Sequence, residues 1–164
     1  MIPFLALFFA CGPSQKTQKE NIVRLENELQ KGQDTAKMSA LISMYDKYSV
    51  DFPDDSLTPM YIFRSGEMNR VMKKGTQALI NYDLLIKKYP KSEYVPQCYF
   101  LKGFVFEDVM YDFPAAEVSY REFIEKFPNH PLRKEAELSI KFLGKSVDEI
   151  IEMFSDTTKV DSII

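Results

Sequence analysis

Apolar side chains recur along this chain with the period of an α-helix. In the stretch "LISMYDKYSVDFP", Leu41, Tyr45, Tyr48 and Phe52 follow one another at positions i, i+4, i+7 and i+11. This spacing places all four side chains on one face of a helix. The stretch therefore predicts an amphipathic helix that ends near residue 52.

The same pattern occurs three times, and each copy ends in an aromatic residue followed by proline. The copies are Tyr45 with Phe52-Pro53, Tyr82 with Tyr89-Pro90 and Tyr120 with Phe127-Pro128, so the prolines are 37 and 38 residues apart. Four residues before each tyrosine stands Leu41, Ala78 or Ala116. Proline ends a helix because it lacks an N–H group and its ring clashes with the preceding turn. The repetition predicts three similar helical units.

A further helix is indicated after each proline, and a glycine marks it in the first two copies. Thirteen residues after the first two prolines come Gly66 and Gly103, in "YIFRSGEM" and "YFLKGFVF". Because glycine has no Cβ, we expect the two helices of a pair to approach each other closely there. The third copy has Lys141 at this position, so no close approach is expected in that copy.

The periodicity predicts an all-α fold. An apolar content of 45% in 164 residues is enough for one domain with a core, and the turn residues punctuate helices rather than strands. Gly32 and Gly75 suit C-caps, and Asp34 or Thr35 suits an N-cap. The predicted helices lie at about 17–31, 36–52, 57–73, 77–89, 93–110, 114–127 and 131–154, the last being a terminal capping helix.

The motif Ala-x3-Tyr, two apolar residues and a closing aromatic-Pro resembles the tetratricopeptide repeat. The usual period of that repeat is 34, and the longer period here is similar to the periplasmic variant of the BamD and YbgF type. The resemblance is closest in "KYPKSEYVPQCYFLKG" and covers about residues 19–145. It implies a right-handed superhelix of about three antiparallel helix pairs plus a C-terminal capping helix, at 19–155, with a tail at 156–164.

The start of the chain has the composition of an export signal. "MIPFLALFFACG" is apolar but shorter than the roughly 20 residues that span a bilayer. "LFFAC" resembles the lipobox of bacterial lipoproteins, with Ala10, Cys11 and Gly12 matching and Phe8 at the usual Leu position. The resemblance implies an export signal at 1–11, lipid on Cys11 and a polar tether at 12–18. A plain signal peptide or a frayed apolar N-terminus is the alternative.

The sequence offers little chemistry for catalysis. It has one histidine, His130, and its second cysteine, Cys98, lies in an apolar run that suggests burial. These two residues cannot form a Cys/His metal site or a Cys-His nucleophile pair. Mixed charges with a net value of −3 leave no basic patch for nucleic acid. We therefore expect a protein that is not an enzyme, with no cofactor, no metal and no nucleic-acid partner.

The resemblance also implies a binding groove on the first helix of each pair. An apolar stripe with charged flanks could receive an extended peptide or a partner helix. Alternatively, Phe100, Phe104 and Phe142 belong to the core. The positions that match the groove are Phe63, Glu67 and Arg70, then Phe100, Phe104, Glu107 and Asp108, then Leu138, Phe142 and Lys145.

These expectations combine into one functional hypothesis. The chain is expected to be a lipid-anchored scaffold on the periplasmic face of the outer membrane that binds other envelope proteins, such as a β-barrel assembly complex. BamD-like proteins have about five repeats, so this shorter chain would be an accessory or a paralogue. The alternative is a periplasmic carrier or regulator that holds a peptide or a peptidoglycan fragment in an aromatic groove.

Overall fold

The regular structure of this protein is helical. The computed structural model describes the backbone of residues 13–30, 32 and 34–160, with side chains up to residue 154. Over these residues there are eight α-helices, one π-helical turn and no strand, which confirms the all-α prediction. The helices are α1 Gln15–Leu29, α2 Thr35–Asp51, α3 Thr58–Val71, α4 Gly75–Lys88, α5 Val95–Phe104, α6 Phe113–Lys126, α7 Arg133–Phe142 and α8 Val147–Val160, and the π-helical turn is Val105–Val109.

From α1 to α7, helices that follow one another in the chain pack together. The core consists of three clusters, each built around one repeat tyrosine: Tyr45, Tyr82 and Tyr120. All three are buried, as are Leu41, Ala78 and Ala116 one turn earlier. The buried face that the sequence pattern predicts is therefore present in all three copies. The right-handed superhelix of the tetratricopeptide repeat remains a prediction.

Each repeated helix ends where its proline requires. The N–H groups of Phe52, Tyr89 and Phe127 donate to the carbonyl groups four residues earlier, over 2.8 to 2.9 Å. In all three copies the next residue is the proline, which has no N–H to donate and cannot continue the helix. The predicted helix ends at 52, 89 and 127 are thus confirmed to within one residue.

Two glycines allow close contact within a helix pair. A Cβ added to Gly66 would lie 2.6 Å from Cε1 of Tyr82, and a Cβ added to Gly103 would lie 2.6 Å from Cδ1 of Tyr120. Real Cβ atoms do not approach other atoms so closely, so only glycine fits in either position without rearrangement. The predicted close approach is confirmed for both pairs.

The π-helical turn accommodates one extra residue. Tyr82 follows Gly66 by 16 residues, whereas Tyr120 follows Gly103 by 17. In that segment the N–H of Met110 donates to the carbonyl of Val105, five residues earlier, over 3.0 Å. A π turn is the usual way to place one more residue within a helix. The spacing of 38 rather than 37 therefore has its structural cause at the end of α5.

Two of the predicted segments differ in the structure. The single helix predicted at 131–154 was wrong: α7 and α8 are separated by a turn in which Gly144 has a φ of +70°. The hydroxyl of Ser146 accepts from the N–H of Glu149, whose carboxylate accepts from the N–H of Ser146. This capping box starts a new helix.

The other differences concern the chain ends and one cap. α1 begins at Gln15, and Gln18 is buried, so residues 15–18 of the predicted tether are packed helix. α8 reaches Val160 and so includes part of the predicted tail at 156–164. Gly75 is not a C-cap but the first residue of α4, and Lys73 takes the left-handed conformation before it. The signal predicted at 1–11 and the lipidation site at Cys11 lie outside the described residues.

Candidate partner-binding face

Side chains of α1, α3 and α5 meet along one face, which we call the odd-helix face. Arg64 of α3 forms an ion pair with Glu26 of α1. Arg70 of α3 lies over the ring of Phe104 of α5, with 5.1 Å between the guanidinium carbon and the ring centroid. A groove of about 480 Å³ lies between α1 and α3 and includes Glu26, Arg64 and Glu67 in its wall. The face thus carries a continuous row of charged and aromatic groups.

Each repeat tyrosine donates a hydrogen bond to a glutamate of the preceding helix segment. The hydroxyl of Tyr45 donates to Glu26 over 2.5 Å, and that of Tyr120 donates to Glu107 over 2.7 Å. Tyr82 donates in the same way to Glu67. Burial is the main cause that raises the pKa of all three phenols, and the neighbouring carboxylates add to it. The hydroxyls therefore remain protonated donors at neutral pH.

These three Tyr–Glu pairs could not be read from the repeat. The glutamate precedes its tyrosine by 19 residues in the first pair, by 15 in the second and by 13 in the third. Because the spacing differs each time, comparison of the copies gives no common acidic position. The one signal in the sequence is that a glutamate occurs in the helical segment that precedes the helix of each repeat tyrosine.

Arginine accompanies two of the three pairs. Arg64 reaches Glu26 from the next helix pair. Arg70 donates to both carboxylate oxygens of Glu67, each over 3.0 Å. Such two-point contacts between guanidinium and carboxylate fix the orientation of both groups. Within the described part of the chain, Glu107 forms no ion pair.

The structure brings some of the predicted groove residues together. Arg70 contacts both the ring of Phe104 and the carboxylate of Glu67. Glu107 lies in the π-helical turn, and the adjacent Asp108 forms an ion pair with Lys73 over 2.7 Å. These residues are the middle of the predicted groove set.

Other predicted groove residues lie elsewhere. Phe63 stacks on Tyr94, with ring centroids 4.9 Å apart, and contributes to the core around Tyr82. Phe100 packs against Tyr120 and Phe123, both at 5.6 Å between centroids, so its ring also belongs to the core. Both rings are partly exposed, and part of each is used in core packing.

The predicted residues of the last helix lie near the break between α7 and α8. Leu138 on α7 is 41% exposed. The Phe142 ring packs against that of Phe154 on α8, with centroids 5.8 Å apart. Lys145 is exposed in the turn after α7. The single predicted helix would have put all three on one face, and the break at Gly144 separates Lys145 from the other two.

A larger groove lies on the opposite set of helices. It measures about 880 Å³ and runs between α2 and α4. Val50, Ile80 and Leu84 line it and are exposed, while Asp46 and Lys88 add charge. The sequence pattern did not single out these residues, because isolated exposed apolar side chains are common on helices.

His130 and Cys98, the two side chains considered above for metal binding or catalysis, are engaged in contacts within the fold. The Nδ1 atom of His130 accepts from the N–H of Leu132 over 3.2 Å, and its ring packs against Phe123. Burial raises the pKa of the Cys98 thiol to about 12. Among residues 13–30, 32 and 34–160, no group of three His, Cys, Asp or Glu side chains is arranged to hold a metal ion. None of the helices described is both long enough and apolar enough to cross a membrane.

Comparison with known proteins identifies no family. No protein-family model matches the chain, and no curated protein is significantly similar to it. Function has therefore to be argued from the residues and their geometry.

Proposed function

We propose that this chain is a non-catalytic helical-repeat scaffold of the tetratricopeptide type that binds other proteins of the cell envelope through its odd-helix face. The observation that carries the proposal is the row of half-buried charged and aromatic groups from Glu26 to Phe104. Arg64, Arg70 and Glu67 are each held in position by a specific partner. Such ordered side chains offer a partner fixed hydrogen-bonding groups at little cost in conformational entropy.

The arrangement favours binding over acid–base catalysis. Glu26 and Glu67 each accept from a tyrosine and from an arginine, so both carboxylates are engaged as charged acceptors. A general base must be directed at a substrate proton. The carboxylates of this row instead hold neighbouring helices together and present a patterned surface.

The N-terminal sequence supports a site of action at a membrane. The lipobox-like "LFFAC" supports a lipid anchor at Cys11. Acyl chains contribute about 0.8 kcal/mol per buried CH₂, so several chains on one cysteine would hold the helical domain at a membrane. Likeness to the BamD and YbgF type supports a periplasm-facing role at the outer membrane, in protein assembly or envelope maintenance.

Site-specific photocrosslinking in the native cell tests the proposal. A photoreactive amino acid replaces Met68, which lines the groove between α1 and α3. The control replaces Val118, which is 67% exposed on α6, away from that groove. We expect a discrete protein adduct from position 68 and none from position 118. Adducts with small molecules only would instead support a carrier of peptides or peptidoglycan fragments, and equal labelling at both positions would contradict a specific face.

A further inference from the structure

The three Tyr–Glu pairs differ in one component. In the first two, the glutamate accepts from a tyrosine hydroxyl and from an arginine guanidinium. In the third, Glu107 accepts from Tyr120 through Oε2, and no cation of the described residues pairs with it. Glu107 is nevertheless only partly buried. Glu107 is thus a carboxylate without a paired cation among the described residues, whereas Glu26 and Glu67 are each paired with an arginine.

The first pair indicates one position from which a cation could reach the third pair. Arg64, which neutralises Glu26, follows Tyr45 by 19 residues, and the residue 19 positions after Tyr120 is Ser139 on α7. The Ser139 side chain is close enough to Tyr120 to lower the pKa of its phenol, against the larger effect of burial, so this position does lie beside the third pair. A serine carries no charge and is too short to replace a guanidinium.

We propose that Glu107 is a subsite for an arginine side chain of the partner protein. The inference rests on the proposed function, and it names the chemistry of the partner: a segment with arginine next to an apolar residue. In the bound state, the guanidinium would complete the Tyr120–Glu107 pair as Arg64 completes Tyr45–Glu26. A carboxylate oriented by a hydrogen bond favours the planar fork of arginine over a lysine ammonium.

The surroundings of Glu107 suit such a segment. Leu138, adjacent to Ser139, is 41% exposed and offers an apolar contact. Arg70 lies over the ring of Phe104, three residues before Glu107, at 5.1 Å, so this part of the face already holds one guanidinium against an aromatic ring. Lys73 pairs with Asp108 over 2.7 Å, which leaves Asp108 neutralised and Glu107 as the open acceptor.

A small probe tests the subsite without knowledge of the partner. The full-length chain, purified in detergent, is titrated with N-acetyl-leucyl-arginine amide while the carboxyl carbon of Glu107 and the amide of Ser139 are followed by NMR. The same peptide with citrulline is the uncharged control of nearly equal shape. We expect saturable shifts at both positions with the arginine peptide and none with the citrulline peptide.

Two variants make the test specific. Glu107→Gln removes the charge, and Ser139→Arg supplies the guanidinium from within the chain. We expect each to weaken arginine-peptide binding at least tenfold. Glu117→Gln, which alters an exposed glutamate paired with Arg121 on α6, is expected to leave binding unchanged. Should Ser139→Arg fail to fold, Glu107→Gln alone decides.

The outcomes separate the subsite from the proposed function. The subsite is overturned if the wild-type chain shows no saturable shift, if citrulline binds as well as arginine, or if Glu107→Gln binds like the wild type. The scaffold function depends on the crosslinking from position 68 and can fail or hold independently. If a crosslinked partner is recovered, unchanged recovery with Glu107→Gln also argues against the subsite.

Discussion

Gly103 lies directly against the ring of Tyr120. A Cβ on Gly103 would be 2.6 Å from both Cδ1 and Cε1 of that ring. The ring is fully buried, and its hydroxyl is bound to Glu107, so it has little freedom to move away. Close contact between α5 and α6 therefore depends on the absence of one methyl group.

Gly103→Ala is expected to destabilise the protein. Overpacking a filled core costs about 1–3 kcal/mol, whereas alanine gains about 0.5–1 kcal/mol over glycine within a helix. We expect a net loss of about 1–2 kcal/mol in the free energy of unfolding, measured by urea denaturation. The matched control is Gly32→Ala, where an added Cβ meets nothing within 4 Å, and which should be close to neutral. Equal effects of the two changes would contradict the packing argument.

The bond between Tyr120 and Glu107 should appear as a coupling energy. A hydrogen bond to a charged group contributes about 1.5–3 kcal/mol to stability. In a double-mutant cycle with Tyr120→Phe and Glu107→Ala, we expect the two changes to be non-additive by an amount in that range. Urea unfolding of the four proteins measures it. Additive effects would mean that the contact contributes little to the folded state.

Cys98 should be unreactive in the folded protein. Its side chain is fully buried, and burial raises the pKa of the thiol to about 12, so almost no thiolate is present at pH 8. In a Cys11→Ser variant, Cys98 is the remaining cysteine of the two in the chain. We expect iodoacetamide to modify it in 6 M guanidinium chloride and not in buffer, as read by mass spectrometry. Rapid labelling in buffer would show that the α4–α5 packing opens.

Acid should loosen the docking of α1 on α2. Hydrogen bonds from Lys47 and Gln18 lower the pKa of Asp51 below its ordinary value of 3.8. For Asp55, burial acts to raise the pKa, but bonds from Lys19 and from the backbone outweigh it, so the pKa is also lowered. The charged forms stabilise the fold, and this contribution is complete above pH 3.8 and is lost as the pH falls through the folded pKa values.

The pH dependence of unfolding measures this contribution. We expect stability to fall more steeply below pH 4 in the wild type than in an Asp51→Asn, Asp55→Asn double variant, which is already less stable at pH 7. The control is Asp54→Asn, because Asp54 is exposed and should not change the profile. Parallel profiles of the wild type and the double variant would show that these carboxylates do not hold α1.

Loss of the proposed lipid anchor at Cys11 should release the protein from the membrane fraction. Cys11→Ala removes the predicted acylation site, so we expect the chain to move from the membrane fraction to the soluble fraction and to lose the mass of the lipid. Lys16→Ala, on the exposed side of α1, serves as the control. Unchanged mobility and fractionation of Cys11→Ala would refute the lipoprotein hypothesis.

The fold was largely predictable because burial follows the period of the helix. The tyrosines of the repeat, the helix ends at the prolines and the function of Gly66 and Gly103 all follow from side-chain spacing. The break at Gly144 was missed because apolar residues from Ile140 to Phe154 continue the helical period across it. The sequence "SVDE" at 146–149, a capping-box pattern, was the available signal.

The candidate site was less predictable than the fold. Arg70 and Phe104 were identified from the resemblance, and they do contact each other. The tyrosine–glutamate pairs were not foreseen, because each glutamate comes from a different helical turn relative to its tyrosine. Polar contacts depend on the direction of individual side chains, whereas a repeat pattern records only which positions are buried.

The π-helical turn at the end of α5 has a consequence for the charge of this face. One additional residue turns the side chains that follow it by about 100° around the helix axis. Four residues after its glycine, α3 has Arg70, whereas the widened turn after α5 has Glu107. The segment from Gly103 to Tyr120 is thus one residue longer than that from Gly66 to Tyr82, and the extra residue lies in a helix rather than in a loop. At the position where the shorter segment has the cation Arg70, the longer one has the anion Glu107, beside Tyr120.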